Sequence, residues 1–158
     1  MPPSTFDATD AILLRALQAN ARITVADLAN IANLSTSPTW RRLQRLEQVG
    51  IIARYQVALD RRSLGWGVLA FINVSLESHS EVDTRAFEQA VTAMPEIIAC
   101  WSVAGSADFF LQVVGKDLDS FAEFSMNAIR RLPGIKAMQT TFTLTDVKPP
   151  TPWPIPKL

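Results

Sequence analysis

Apolar residues recur at helical spacing in three successive stretches of the first third of the chain. The first stretch covers 6–20, and Asp7 or Thr9 can cap its start. The second covers 24–32 and opens on a threonine that can cap it. A link of only a few residues separates the second stretch from the third. The pattern predicts three short helices, with a tight turn between the last two.

The third stretch, Ser37–Gly50 (SPTWRRLQRLEQVG), combines signals for the start and the end of a helix. Ser37 is a good N-cap, and Pro38 suits the first helical position because its missing N–H costs nothing there. Gly50 can end the helix. A repeat every three residues predicts one apolar stripe, formed by Trp40, Leu43 and Leu46.

Arginines occupy positions of this helix that lie off the apolar stripe. A guanidinium can pair bidentately with a guanine edge or bind a phosphate. A helix with one apolar face and one arginine-bearing face is therefore suited to bind in the DNA major groove. The alternatives are a solvated helix face and an ordinary three-helix bundle. The candidate DNA contacts are Ser37, Thr39, Arg41, Arg42 and Arg45.

Alternation replaces helical spacing after the arginine helix. Tyr55 and Val57 alternate with polar neighbours, which predicts a strand over 51–60, either a wing or a connecting strand. The segment 61–67 contains two glycines and a basic pair, and we expect a linker there. The first domain, 1–60, therefore has the layout of a winged helix-turn-helix, in which the first helix braces the second.

The segment 68–148 alternates strand and helix patterns in the order β-α-β-β-α-β. This order predicts an α+β fold, a ferredoxin-like sandwich with both helices on one face of the sheet. The predicted elements are a strand over 68–77, a helix over 82–94, strands over 97–104 and 109–114, a helix over 118–132, and a strand over 136–147.

The other face of this predicted sheet carries Leu69, Phe71 and a row of threonines. A partly apolar face of this size usually packs on another subunit, so we expect a homo-oligomer. Lys148–Leu158 contains five prolines and cannot continue a sheet. We expect an extended tail over 149–158 that reaches over a neighbouring subunit.

Charge is balanced overall but unevenly distributed. The 158 residues have a formal net charge of zero and are 48% hydrophobic, which suits one or two small domains with real cores. Between Ser35 and Arg62, six arginines face two acidic residues, a local balance of +4. From residue 63 onward, seven basic and ten acidic residues give −3. This asymmetry is typical of a protein with one end that meets phosphates.

Several observations limit the function. The single cysteine excludes an internal disulfide framework, and no signal peptide or long apolar span is visible, so we expect a cytoplasmic protein without membrane association. His79 lies in a polar loop, where we expect it to be solvated, and Cys100 is predicted to be a core or interface residue. No nucleophile with a base, phosphate loop, carboxylate cluster or metal ligand set is visible, so we predict neither an enzyme nor a cofactor.

Two long stretches carry a family resemblance. They are VADLANIANLSTSPTWRRLQRLEQVGII in the first domain and MPEIIACWSVAGSADFFLQVV with RLPGIKAMQTTFTLTDVK in the second. In order and spacing the chain resembles, over about residues 6–148, the Lrp/AsnC ("feast/famine") family of bacterial transcription regulators. Within the family, the MPE segment and the start of the arginine helix are most similar to a branch whose members answer to cysteine.

The resemblance implies dimers that form through the sheets, assemble further into octamers, and bind an amino acid between subunits near one hairpin turn. That turn maps here to Ala104, Gly105, Ser106, Ala107 and Asp108. Asp108 could hold the α-ammonium group, and the backbone at Gly105 could receive the carboxylate. Ser106 and Ala107 depart from the acidic and aromatic residues that the family often has, and the same segment also fits a plain hairpin turn.

These observations favour a sequence-specific DNA-binding transcriptional regulator that responds to a small amino acid, with paired helices in successive major grooves. One alternative is an architectural protein that assembles on DNA at the nucleoid without an effector, which salt-sensitive and sequence-blind binding would favour. Another is an enzyme built on the ferredoxin-like half, for which the sequence offers no catalytic residues.

Overall fold

The computed structural model describes residues 6–148 and 150–156. The chain divides into two compact units, Met1–Ala58 with Lys148–Leu158, and Leu59–Val147. Each unit has its own hydrophobic core. The division lies two residues before the predicted end of the first domain at residue 60.

Three helices form the N-terminal unit: α1 (Ala8–Ala19), α2 (Val25–Ile31) and α3 (Thr36–Gln48). Their shared core is built on one leucine from each helix. Short polar side chains fix the helix starts, since the hydroxyl of Thr24 accepts the N–H of Asp27 at 3.1 Å. The left-handed backbone of Asn33, with φ of 52°, allows the tight turn from α2 into α3. The predicted helix-turn-helix layout is therefore confirmed.

The start and the buried face of α3 differ from the prediction. The N-cap is Ser35, which makes no side-chain capping bond, so Ser37 is not the cap and Pro38 is the third helical residue. The buried face is formed by Thr39, Leu43 and Leu46. Trp40 was predicted in this stripe but is 49% exposed. The three-residue repeat selected Trp40 instead of Thr39, because successive buried positions of a helix are separated by four residues as well as by three.

The predicted strand over 51–60 is wrong, because this segment forms no strand or helix in the part of the chain that the structure describes. The alternating Tyr55 and Val57 are both exposed, and none of the strands in the described residues pairs with this segment. Alternation marks a strand only where a second backbone is available to pair with it. The linker over 61–67 is a turn, in which the Arg61 guanidinium donates to the carbonyls of Trp66 and Gly67 at 2.9 and 3.1 Å.

The second unit is a four-stranded antiparallel sheet in the order β2-β3-β1-β4. This order, with two helices following the first and third strands, confirms the predicted ferredoxin-like fold. The elements are β1 (Val68–Leu76), α4 (Glu81–Thr92), β2 (Ile97–Ser102), β3 (Phe109–Gly115), α5 (Leu118–Asn127), a 3₁₀ turn (Ile129–Arg131) and β4 (Ile135–Phe142).

The core of this unit lies on one face of the sheet. Ala70, Ile72, Val74 and Leu76 of β1 are all buried there, as their alternation predicts. Phe87 of α4 packs on the same core. The strand β1 sits between β3 and β4, with Ile72 opposite Leu111 and Thr140. A central strand with one wholly apolar face therefore fixes the register of the whole sheet.

The ends of several elements are shorter than predicted. The last helix, predicted to end at residue 132, ends at Asn127 and continues only as the 3₁₀ turn. The last strand, predicted to end at residue 147, ends at Phe142, and Leu144 beyond it is 92% exposed. Cys100 is exposed on the edge strand β2 and is therefore not a core residue, whereas its place in an interface stays a prediction.

The proline-rich tail contacts the N-terminal unit of its own chain. The Gln18 amide of α1 donates to the carbonyl of Trp153 at 2.9 Å, and Arg15 donates to the carbonyl of Pro156 at 3.4 Å. The described tail therefore contacts α1 of its own chain, and its reach over a neighbouring subunit stays a prediction. Residues 149, 157 and 158 of the predicted tail, and residues 1–5 of the predicted first domain, lie outside the described residues.

Candidate functional site

Two aspartates at the start of α1 form a reciprocal capping box. The Asp7 carboxylate accepts the N–H of Asp10 at 2.9 Å, and the Asp10 carboxylate accepts the N–H of Asp7 at the same distance. The side chain of Asp10 is fully buried, with 0% exposed, whereas that of Asp7 is 55% exposed. A buried carboxylate needs cationic partners, and α3 provides them.

Two arginines of α3 bind this capping box. Arg42 Nη1 lies 2.7 Å from the Asp7 carboxylate and 2.9 Å from Asp10 Oδ1. Arg45 Nη2 binds Asp10 Oδ2. The two side chains are 30% and 42% exposed, so each guanidinium lies between the buried carboxylate and solvent. The cluster fastens the start of α1 to the side of α3.

Hydrogen bonds explain the shifted pKa values in this cluster. The Asp10 N–H is the largest cause that lowers the pKa of Asp7 below 3.8, and the hydrogen bond from Arg42 adds to it. In return, the carboxylates of Asp7 and Asp10 raise the pKa of Arg42. The ion pair between Asp7 and Arg42 is therefore intact at neutral pH.

The outer face of α3 lies beside this cluster. Ser37, Trp40, Arg41 and Gln44 are exposed and follow one another at helical spacing. Within the described residues, Arg41 is the arginine of α3 for which no ion pair with a carboxylate is found. An arginine and an amide on one exposed helix face are the side chains that hydrogen-bond guanine and adenine edges.

The structure separates the five predicted DNA contacts. Ser37 and Arg41 lie on the exposed face, and Arg42 and Arg45 bind aspartates of the same chain. Thr39 is fully buried and its hydroxyl donates to the carbonyl of Ser35 at 2.9 Å, so it cannot touch DNA. A helix reads a groove with side chains that reach solvent, and Thr39 does not.

Sequence reasoning did not place Trp40 and Gln44 on this exposed face. Both belong to the exposed face defined by Ser37 and Arg41, at spacings of three and four residues. The signal was present in the sequence, because any helix that buries Leu43 and Leu46 must expose the opposite positions. The large apolar ring of Trp40 suggested burial and concealed this periodicity.

The predicted effector turn, Ala104–Asp108, joins β2 to β3. Ala104, Gly105 and Ser106 are exposed, whereas Ala107 is buried. A side chain added at Gly105 would meet no atom within 4 Å, so the turn leaves open space there. The exposed residues of the turn are therefore accessible to a small ligand, and the side chain of Ala107 is not exposed on this surface.

Asp108 anchors this turn with both carboxylate oxygens. Oδ2 accepts the N–H of Leu76 at 2.8 Å, and Oδ1 lies 2.9 Å from Nε2 of His79. The Leu76 N–H is the largest cause that lowers the pKa of Asp108, and the His79 hydrogen bond comes second. His79 was predicted to be a solvated loop residue, but it is a partner of this carboxylate while remaining exposed.

Aromatic rings cluster on the sheet face that the helices leave uncovered. Phe71 and Phe110 stack with ring centroids 5.3 Å apart, and Trp101 lies 6.1 Å from Phe110. Gln112 and Thr141 are the partners of Phe71 on the adjacent strands. This face therefore offers a mixed aromatic and polar surface.

Among residues 6–148 and 150–156, no group of three or more His, Cys, Asp or Glu side chains could hold a metal ion. No helix there combines the length and the apolar character needed to cross a membrane.

Family models match both units of the chain. Residues 6–47 match the AsnC-type helix-turn-helix domain, and residues 69–153 match the Lrp/AsnC ligand binding domain. The first match covers α1, α2 and almost all of α3, and the second begins within β1 and extends into the tail. Together they account for most of the chain.

Curated proteins and solved structures resemble the chain over nearly its full length. The DNA-binding transcriptional activator DecR of Escherichia coli K12 is 33% identical over 94% of this chain and 98% of its own length. A leucine-responsive regulatory protein of Rhizobium meliloti is 34% identical over 90% and 91%. The crystal structure of transcriptional regulator NMB0573 of Neisseria meningitidis, a complex with L-Met, has a TM-score of 0.89 at 33% identity and covers 95% of this chain and 97% of its own.

Proposed function

This chain belongs to the Lrp/AsnC family, and we propose on that premise that it is a sequence-specific DNA-binding transcriptional regulator that responds to a small amino acid. The observation that carries the proposal is the exposed face of α3, which presents Trp40, Arg41 and Gln44 beyond a tight turn from α2. The match of residues 6–47 to a helix-turn-helix domain supports the same conclusion. Acting on DNA places the protein in the cytoplasm at the nucleoid.

The proposed DNA contacts follow the exposed face of α3. Arg41 would bind a guanine edge through its two-pronged guanidinium, and Gln44 would bind an adenine edge. Trp40 would make apolar contact with a thymine methyl group or a sugar, and Ser37 would bind a phosphate. The contribution of Arg42 is limited by its bonds to Asp7 and Asp10.

Replacement of Arg41 tests this assignment. We expect Arg41→Ala to weaken binding to DNA from upstream of the protein's own gene by about 1–3 kcal/mol, since one bidentate base contact is lost. Fluorescence anisotropy on this DNA and on a shuffled duplex measures the loss. Arg131→Ala, at an exposed position of the second unit, is the control for the loss of one charge. Equal affinity of the wild type for both duplexes would instead indicate an architectural protein.

We propose that the effector binds beside the β2–β3 turn, between subunits. Asp108 would accept the α-ammonium group, because its two oxygens have further lone pairs beyond those used by Leu76 and His79. The backbone at Ala104, Gly105 and Ser106 would approach the carboxylate and side chain. The L-Met complex of NMB0573 and the leucine-responsive relatives support an amino acid, and no catalytic role is proposed.

We also propose that the uncovered sheet face joins two copies into a dimer, which assembles further into an octamer. The stacked Phe71 and Phe110 with Trp101 would be its apolar centre. Thermal-shift measurements with each standard amino acid, beside light scattering, test effector and assembly together. A stabilising amino acid, with cysteine, leucine and methionine as first candidates, and a mass above that of one chain are the expected results. A monomer that no amino acid stabilises would contradict both proposals.

A further inference from the structure

We infer that two aspartates at the start of α1, Asp7 and Asp10, determine specificity by holding two arginines of α3 away from DNA phosphates. The arginines are Arg42 and Arg45. The inference rests on the proposed DNA-binding function and assigns to these four residues a role in discriminating one DNA sequence from others. Asp7 and Asp10 are positioning residues, since they act through the arginines and touch no DNA.

Several hydrogen bonds fix the two arginines to the aspartates. Arg42 Nη1 bonds to both aspartates, at 2.7 and 2.9 Å, and Arg45 bonds to Asp10. Asp10 is fully buried and the capping box fixes it to the backbone of Asp7, so the carboxylate cannot follow an arginine that swings outward. The carboxylates compensate the charge of both guanidinium groups, and a guanidinium that swings outward to reach a phosphate gives up a charge-assisted hydrogen bond.

The arginines still lie close enough to solvent for this competition to matter. Their side chains are partly exposed, and both line an open cleft of about 640 Å³ beside Pro38 and Arg41. DNA lying along the exposed face of α3 would bring phosphates near this cleft. An arginine with no carboxylate partner there would bind phosphates of any sequence.

Non-specific affinity grows with the number of phosphates that a protein neutralises, whereas a base contact adds affinity only at the correct sequence. Because Arg42 and Arg45 bind aspartates, Arg41 is the arginine of α3 that we expect to bind DNA, and it does so at the bases. The formal net charge of zero gives the chain no general attraction to DNA that would compensate. The aspartates therefore lower non-specific binding and raise the ratio of specific to non-specific affinity.

The salt dependence of non-specific binding tests the inference. We expect Asp10→Asn, and to a smaller extent Asp7→Asn, to bind a shuffled duplex more tightly at low salt. The slope of log K against log salt should steepen by roughly 0.9 for each arginine that gains a phosphate. Glu123→Gln, at an exposed position of α5, changes the net charge equally and should leave the slope unchanged.

A second substitution separates release of an arginine from general loosening of the unit. Adding Arg42→Ala to Asp7→Asn should return the slope to the wild-type value, because the released charge is then absent. A purely structural role would lower the melting temperature of the aspartate variants without changing either slope, and this result would overturn the inference. If Asp10→Asn does not fold, the exposed Asp7 decides between the two outcomes.

The same data distinguish this inference from the proposed function. A wild type that prefers its own upstream DNA, together with unchanged slopes in both aspartate variants, refutes the inference alone. A wild type that binds neither duplex refutes both.

Discussion

Two aspartates, one in each unit of the chain, make similar hydrogen bonds in opposite surroundings. Asp10 accepts a backbone N–H and two guanidinium groups, and its side chain is fully buried. Asp108 accepts the backbone N–H of Leu76 and pairs with an exposed histidine, and 26% of its side chain is exposed. Both carboxylates fasten a helix or strand end to a neighbouring segment, but only one of them faces solvent.

The difference indicates which carboxylate can exchange its partners. Asp10 has permanently charged partners, and withdrawing them would leave an uncompensated charge on a buried side chain. Asp108 has an exposed partner, His79, and an open turn beside it. A free amino acid could add its ammonium group at Asp108 with little loss. This difference agrees with the two proposals made above, which give DNA specificity to the first site and effector binding to the second.

The largest expected effect comes from removing the partners of Asp10. We expect Arg42→Ala combined with Arg45→Ala to lower the free energy of unfolding by about 3–5 kcal/mol, because a buried carboxylate loses its compensating charges. Urea unfolding followed by circular dichroism measures this loss.

A triple variant that adds Asp10→Asn is the control for this effect. Neutralising the carboxylate removes the unpaired charge, so the triple variant should recover part of the lost stability. A triple variant less stable than the double variant would show that the buried charge is not the cause. The comparison of the two variants thus measures the cost of burial at Asp10 separately from side-chain truncation.

The corresponding change at the second site should affect ligand binding more than folding. We expect Asp108→Asn to weaken effector binding at least tenfold, since an amide cannot neutralise the ammonium group, while the midpoint of urea unfolding changes little. Isothermal calorimetry with the amino acid found by thermal shift measures the affinity. Unchanged heat and affinity would remove Asp108 from the effector site.

Much of the second unit could be predicted because its signals are local and regular. Alternation along β1 identified its buried face, and the order of strands and helices specified the topology. The N-terminal unit was harder, although its helices were found. Arginines that face solvent and arginines that bind a buried aspartate look alike in sequence, because the partner Asp10 lies 32 residues before Arg42.

Other errors have the same origin in contacts made at a distance. The pairing of His79 with Asp108 spans 29 residues, and neither residue carries a local signal for it. The strand predicted over 51–60 had the correct alternation, but the residues described by the structure provide no strand that pairs with it. Side-chain periodicity predicts the secondary structure that a segment can form, whereas contacts with segments distant in sequence determine which structure it adopts.

Acid should weaken both sites in the same direction. The pKa values of Asp7 and Asp108 are lowered below 3.8 by the hydrogen bonds they accept. Their stabilisation is therefore complete above the unfolded pKa and is lost as the pH falls through the lower, folded pKa. We expect the urea midpoint of the wild type to drop below about pH 4, and that of Asp7→Asn or Asp108→Asn to drop less steeply. Identical pH profiles for variants and wild type would contradict this expectation.

The smallest effect is expected from replacing His79, the exposed partner of Asp108. The Leu76 N–H, rather than His79, is the main cause of the lowered pKa of Asp108, so the carboxylate should keep its position and charge in His79→Ala. A pair with a largely exposed histidine contributes little to stability. We expect a melting temperature within a degree or two of wild type and an effector affinity within about threefold, against at least tenfold for Asp108→Asn. A loss of effector binding in His79→Ala as large as that in Asp108→Asn would mean that the histidine itself contacts the ligand. The site at Asp108 would then depend on both members of its ion pair, as the site at Asp10 does.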